Sequence, residues 1–463
     1  MVESVKILAA IVCGMILSWV LPANADTLTR GGAPEKICQL TGETDWQTGK
    51  PTEARTYSRF GLDAADLGYP IEHDGKLILL FGDSWPTMQK PGTLAEDPPN
   101  DAVGIVTARA APTSATCLGM TINDMAGESM RIEGEGDPLK IYQPSTVVSP
   151  KPISQGFFDV PTGGVSVGGV LYGFFWTAHC AKGHAIHPSP DAPLARPKAD
   201  AVCPEDDARN SVGHGVMARS TDDGRSFHDA VNLPPGFVDT IAVNPVGEGA
   251  NPGGVLIFGA PRYRASVPYL AEATPGSFPN PQRWRFMAGR DAGGQPRWVS
   301  YQEWAGNFPD PTQWHPPSLS KEQGSEIYAA ESDNESCVGE MSITWNAPLG
   351  RWLMTYNCTA GIEARVAATP SGPWSAPLVI LGRGDDVACK IVMSDKGCGD
   401  RRDFWPLRRT SPGAVVSGGF YAPFVLNRYT RAGVGPNSTD IYWLVSTWNP
   451  YEVDVMRSTL TLH

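Results

Sequence analysis

Five stretches of the chain share one hydrophobic pattern. A Gly or Asp in a turn is followed by a strongly apolar or aromatic run that ends in polar residues. The copies are Gly75-KLILLFGDS, Gly169-VLYGFFWTA, Gly254-VLIFGAPR, Gly350-RWLMTYNCT and Asp440-IYWLVSTW, spaced 85 to 96 residues apart. Each run is short, rich in Val, Ile, Leu and aromatics, and bounded by turn residues, which predicts a strand. A second strand precedes each one. Asp66-LGYPIE turns at His73-Asp74-Gly75 and returns, and Glu340-MSITW turns between Asn346 and Gly350. Five such hairpins extended into antiparallel sheets and arranged radially make an all-β fold, a five-bladed β-propeller with long loop insertions. A large sandwich would also supply the strands. The even spacing over the whole mature chain favours the propeller. Proline-rich stretches at 188–204 and 309–317 read as the insertions.

Ser220-Thr-Asp222-Asp-Gly224-Arg-Ser226-Phe227 fits the Asp-box of sialidase-like propellers. Its physics is a tight hairpin turn in which Asp222 bonds nearby N–H groups, Gly224 supplies a positive φ and Phe227 packs beneath. The box supports the architecture and carries no chemistry.

The N-terminus reads differently. Ile7 to Leu21 is an uncharged apolar run preceded by Lys6, and Ala23-Asn24-Ala25 offers a cleavage site. Residues 1–25 are therefore expected to be a signal peptide and 26–463 a single propeller domain, secreted or periplasmic. The protein carries a net charge of −12, which repels phosphate backbones and anionic bilayers. No nucleic acid partner, and no membrane partner after cleavage, is expected. With 50 Gly and 42 Pro among 463 residues, a mostly helical fold is excluded.

Cys13 leaves with the signal, and eight cysteines remain. An even number in an exported chain favours disulfides, although eight thiols allow about a hundred pairings. Proximity prefers 180 with 203, 337 with 358 and 389 with 398, leaving 38 with 117.

The chemistry is sought where strand ends converge on a central funnel. Asp66 and Asp83 lie at nearly equal distances either side of the turn at Asp74. They are expected to face each other across the hairpin, at most one residue out of register. Like charges so placed repel, raising one pKa and leaving the other group ionised. That is the pair a glycosidase needs. Glu340 holds the matching position in the fourth hairpin and Asp159 in the second. Asp239 stands farther from its turn and reads as a surface residue, and the fifth hairpin has Tyr421 instead. Arg262 and Arg264 end the third return strand, where either could pair a carboxylate or bond sugar hydroxyls. Trp85, Trp176 and Trp448 end three return strands, where aromatic faces suit stacking on sugars.

Three other motifs lack the context that their chemistry needs. Gly164-Val-Ser166-Val-Gly168 matches a nucleophile elbow but leads into another strand, not a helix. His179, His184 and His187 lie on an inserted loop without a metal-binding frame, so no metal or cofactor is expected. Asn357-Cys-Thr359 and Asn437-Ser-Thr439 are glycosylation sequons only in a host with that machinery.

Asp66-Leu-Gly68, Gly75-Lys-Leu…Phe81-Gly-Asp83, Pro161-Thr-Gly-Gly164 and above all Ser446-Thr-Trp-Asn-Pro-Tyr451 together resemble a bacterial family labelled domain of unknown function 4185. The resemblance runs from about Tyr57 to Leu460. It implies a five-bladed propeller with a carboxylate pair in the funnel, and endo-D-arabinanase activity, which some members have. By motif position Asp66 and Asp83 are that pair.

The expected function is thus a secreted glycoside hydrolase on a cell-wall polysaccharide, with D-arabinan as the substrate that the resemblance implies. Asp66, Asp83 and Glu340 are the expected catalytic acids. Trp85, Asp159, Arg262, Tyr421, Trp448 and Asn449 are the expected contacts to a poly- or oligosaccharide. The rival readings are a non-catalytic glycan-binding propeller, in which the aromatics matter and the acids do not, and a sialidase-like hydrolase, for which no arginine triad is evident.

Overall fold

A computed structural model describes residues 26–85, 101–122, 129–131, 140–142, 159–178, 180–181, 184–185, 212–225, 227–243, 254–261, 264, 266–307, 337–399 and 418–463. The proposed signal segment, both proline-rich insertions and Cys203 lie outside these residues.

Five antiparallel sheets of four to six strands follow in chain order as the blades of a propeller, and two two-stranded pairs lie apart from them. The innermost strands are Ala64–His73, Asp159–Val167, Asp239–Val243, Met341–Asn346 and Phe420–Val425. Each is followed by the apolar return strand seen in the sequence repeat, which therefore occupies the second position in its blade. The inner strands contact one another in sequence, first to second to third to fourth to fifth, and the fifth touches the first again. Polar residues at their N-terminal ends consequently meet at one mouth of the central channel, beside the C-terminal ends of the return strands.

Closure of the ring uses both chain ends. The last strand, Tyr451–Leu462, pairs with Ser438–Trp448 on one side. On its other side lie the N-terminal strands Leu28–Arg30 and Glu35–Gln39. Cys38 of the latter is bonded to Cys117 of blade one. The pairs 337–358 and 389–398 also form as proximity suggested.

Return strands are buried on both faces because neighbouring blades cover them, which explains their nearly continuous apolar sequence. Arg351–Cys358 and Ser438–Trp448 are buried almost throughout. Blades are also sutured by single polar bonds. Thr162 Oγ1 donates to the Thr240 carbonyl at 2.8 Å and accepts from its N–H at 3.2 Å. Beside it, a Cβ on Gly163 would lie 2.6 Å from the Thr240 carbonyl and 2.9 Å from the Ile241 Cα, both backbone atoms. Gly163→Ala is expected to force the second and third blades apart at a cost of about 1–3 kcal/mol, read from the urea midpoint.

The Asp-box is the turn between Val212–Ser220 and His228–Asn232. Gly224 has φ 81° and Phe227 is buried against Phe175, as expected. The backbone N–H groups of Asp222 and Gly224 bond to Ser220 Oγ, which itself donates to Asp222. Ser166 lies in a strand running into the Gly168-Gly169 turn, so it is a hairpin residue. No helix among the described residues is long and apolar enough to cross a membrane.

Candidate active site

At the mouth where the N-terminal ends of the inner strands meet lies a cavity of about 360 Å³. That is within the range of small-molecule sites. Asp66, Asp83, Asp239 and Glu340 all line it.

The first hairpin does not deliver its two acids by direct opposition. Asp66 is paired with Gly82, and the ladder slips between Ala64 and Asp66 and again between Leu67 and Tyr69. In a regular ladder residues 82 and 83 would point to opposite faces. Here the bulges, with left-handed backbone at Leu67 (φ 63°) and Asp83 (φ 33°), re-aim the side chains so that both acids reach one cavity. Gly82 is required by this packing, because a Cβ there would come within 2.8 Å of Asp66 Oδ1.

Asp66 is 8% exposed. The Tyr421 hydroxyl donates to its Oδ2 at 2.7 Å, and the Tyr451 phenol faces the same carboxyl. Burial is the main cause that raises its pKa to about 6, against the opposing pull of the two tyrosines. The negative charge of Glu340 adds to the rise. Its backbone is fixed by the segment carrying the most specific sequence motif, for Ser446 Oγ accepts from the Leu67 N–H at 2.7 Å.

Glu340 precedes the inner strand of blade four. Its Oε1 accepts from Arg264 Nη2 at 2.8 Å. The guanidinium of Arg264 also sits 5.2 Å from the centre of the Tyr421 ring. Of the two arginines singled out, Arg264 is thus brought to the site as a carboxylate partner. Arg262 lies outside the described residues.

Asp239 corrects the sequence reading. It is not on a surface turn: it opens the inner strand of blade three, is 2% exposed and lines the cavity. Burial, reinforced by Glu340, raises its pKa well above the usual carboxylate range. Its spacing hid it, because residues 244–254 separate its strand from the return strand that begins at Val255. Tyr451 was also missed as a site residue. It follows the cis Asn449-Pro450 bond and reaches back to the first blade's acid.

The expected sugar contacts divide. Trp448 is 42% exposed, lines the cavity and packs edge-on against Tyr451. Trp176 and Phe420 line it too. Tyr421 lines it, but its hydroxyl is engaged with Asp66. Asn449 is fully buried and is not among the lining residues. Its Nδ2 donates to the Ser394 carbonyl at 3.1 Å, and its own carbonyl accepts from the Ser394 N–H at 2.7 Å. It holds a turn beneath the rim rather than a ligand. The side chains of Trp85 and Asp159 lie outside the described residues, as do those of the loop histidines His179, His184 and His187. Among the described residues no group of three or more His, Cys, Asp or Glu is arranged to hold a metal ion.

Solved structures that match much of the chain share little sequence with it. A protein of unknown function from Dyadobacter fermentans is 11% identical, with 93% of this chain and all of that one covered and a TM-score of 0.37. An α-L-arabinofuranosidase from Podospora anserina, in complex with cellotriose, is 9% identical over 93% of this chain and 98% of its own, also at 0.37. A Trypanosoma rangeli sialidase is 10% identical over 93% of this chain and 58% of its own, at 0.32. No curated protein matches the chain. The family described as a domain of unknown function (DUF4185) matches residues 205–457, a span that contains Asp239, Glu340, Tyr421, Trp448 and Tyr451 and begins after Asp66 and Asp83. More than half of the sequence is covered by that match, and the chain belongs to the DUF4185 family.

Proposed function

We propose that this propeller is an exported glycoside hydrolase that cuts a cell-wall polysaccharide, acting within chains of D-arabinan. The observation that carries the proposal is the gathering of four carboxyl groups from three blades around one cavity, with Asp66 biased toward its protonated form. The D-arabinan assignment rests on the sequence resemblance.

In this reading Asp66 is the general acid. Tyr421 donates to Oδ2 and orients the carboxyl, whose acidic form carries the proton. It passes to the glycosidic oxygen as the bond to the anomeric carbon breaks. Asp83, ionised, supplies an electron pair to that carbon, directly or through a water. Glu340 and its partner Arg264 raise and lower the Asp66 pKa respectively, and so set its operating range. Trp448 offers an exposed aromatic face at the rim for stacking on a sugar. Among the described residues the lining arginines are Arg264, already paired with Glu340, and Arg383, stacked near Phe420. This arrangement suits a neutral sugar better than a carboxylated one.

The test is incubation of the purified protein with a panel of plant and bacterial polysaccharides. Release of oligosaccharides from D-arabinan is expected. Binding without release from any of them would favour the non-catalytic glycan-binding reading.

A pH dependence follows with a definite sign. An acid catalyst must be protonated, so kcat/KM is expected to be retained below about pH 6 and to fall as pH rises through the Asp66 pKa. The same raised pKa means that the native state holds a proton the unfolded chain releases near pH 4. Its contribution to stability is therefore present at low pH and is withdrawn as pH rises toward 6. A rate that is flat from pH 5 to 8 would remove Asp66 from the acid role.

A further inference from the structure

Folding alone gives no reason for Asp239. It opens the inner strand of blade three opposite Ala260, is 2% exposed, and lines the cavity beside Glu340 and Arg264. Its Oδ2 is buried and has no hydrogen-bond partner among the described residues. Arg264 does attract it, but that guanidinium is held by Glu340 at 2.8 Å, and the repulsion from Glu340 is the larger effect. A carboxylate in this place would be a buried charge with, among the described residues, neither a cation of its own nor a donor to Oδ2. Groups so placed remain neutral. An apolar residue would fill the same volume without that penalty.

A neutral carboxylic acid has one property that an ionised one lacks, an O–H to donate. Glu340, in its ion pair, offers only acceptor oxygens. Sugar hydroxyls both donate and accept, so a wall of acceptors alone leaves their lone pairs unmatched.

We propose that Asp239 is a substrate-binding residue, a buried carboxylic acid whose O–H donates a hydrogen bond to a sugar hydroxyl in the floor of the cavity. The proposal deepens the hydrolase reading of this cavity and rests on it. The proton stays on Asp239 throughout the reaction, while Asp66 and Asp83 act on the glycosidic bond. Sites that pair a substrate hydroxyl in this way discriminate strongly against the analogue lacking it.

The experiment compares Asp239→Ala, which removes the donor, with Asp239→Asn, which keeps one of nearly the same size. The alanine variant is expected to lose about 100-fold in kcat/KM on the cleaved polysaccharide, and asparagine to recover at least about tenfold of that loss. The wild-type minus Asp239→Asn infrared difference spectrum at neutral pH is expected to show the carbonyl band of a protonated carboxyl. If asparagine is as damaging as alanine, Asp239 transfers its proton or is only structural, and the proposal is overturned. Absence of the infrared band overturns it as well, whatever the activities and even if the alanine variant fails to fold. If the wild-type protein cleaves nothing, the hydrolase reading falls separately. Oligosaccharide affinities by calorimetry then decide: wild type above asparagine above alanine supports the donor, and equal affinities overturn it.

Discussion

Asp66→Asn and Asp83→Asn are each expected to lower kcat at least about 100-fold on the hydrolysed polysaccharide, with the fold unchanged. The amide at position 66 still accepts from Tyr421 but has no acidic proton to give to a leaving oxygen. The amide at position 83 has no negative charge to offer the anomeric carbon. Both substitutions conserve volume in a wall where space is tight, so circular dichroism and the urea midpoint should stay close to wild type. Asp66→Asn also removes a buried ionisable group, and the variant should lose the decline in stability between pH 4 and 6 described above. Substrates with good leaving groups add a second discriminator. They need little protonation, so Asp66→Asn should recover on them while Asp83→Asn should not. Turnover within a few fold of wild type in either variant would take that residue out of the mechanism.

Loss of the Cys38–Cys117 bond is expected to destabilise the native state by about 4 kcal/mol, the entropy of closing a long loop in the unfolded chain. The two cysteines lie 79 residues apart and tie the N-terminal strand of the last blade to the first blade, at the seam where the ring closes. The paired variant Cys38→Ala with Cys117→Ala should therefore unfold at a clearly lower urea concentration. The Cys389–Cys398 bond spans only nine residues, and its removal should cost roughly 3 kcal/mol or less. Equal losses for the two pairs would contradict the ring-closure account.

The blades were legible because each needs the same object, an apolar return strand covered on both faces, and an apolar run after a turn is a strong signal. Three disulfides were legible because each pair is adjacent in the repeat or left over from those that are. The site was legible only in part. The pairing of Asp66 with Gly82 depends on two bulges, and a bulge is one extra residue with no fixed sequence signature. Asp239 was misread because the connection to its return strand is longer than those of the first, second and fourth blades, so a fixed distance from the turn missed it. Asn449 was misread in the opposite sense. It belongs to the most specific motif, yet that motif acts by holding other residues: Ser446 bonds the backbone beside Asp66, Tyr451 faces the Asp66 carboxyl, and Asn449 secures the turn between them. A motif's specificity thus marked the site's supports as well as its contacts. Arg264 was legible as a carboxylate partner, but which carboxylate it serves required the fold.

Cleavage of a glycosidic bond between Asp66 and Asp83, at this mouth of the channel, can be checked in a crystal structure of the Asp83→Asn variant with a D-arabinan oligosaccharide. The account predicts a glycosidic oxygen within about 3 Å of the Asp66 carboxyl, with the anomeric carbon facing residue 83 and a sugar ring against Trp448. An oligosaccharide seated instead at the opposite end of the channel, among Tyr69, Trp345 and Arg428, would contradict it.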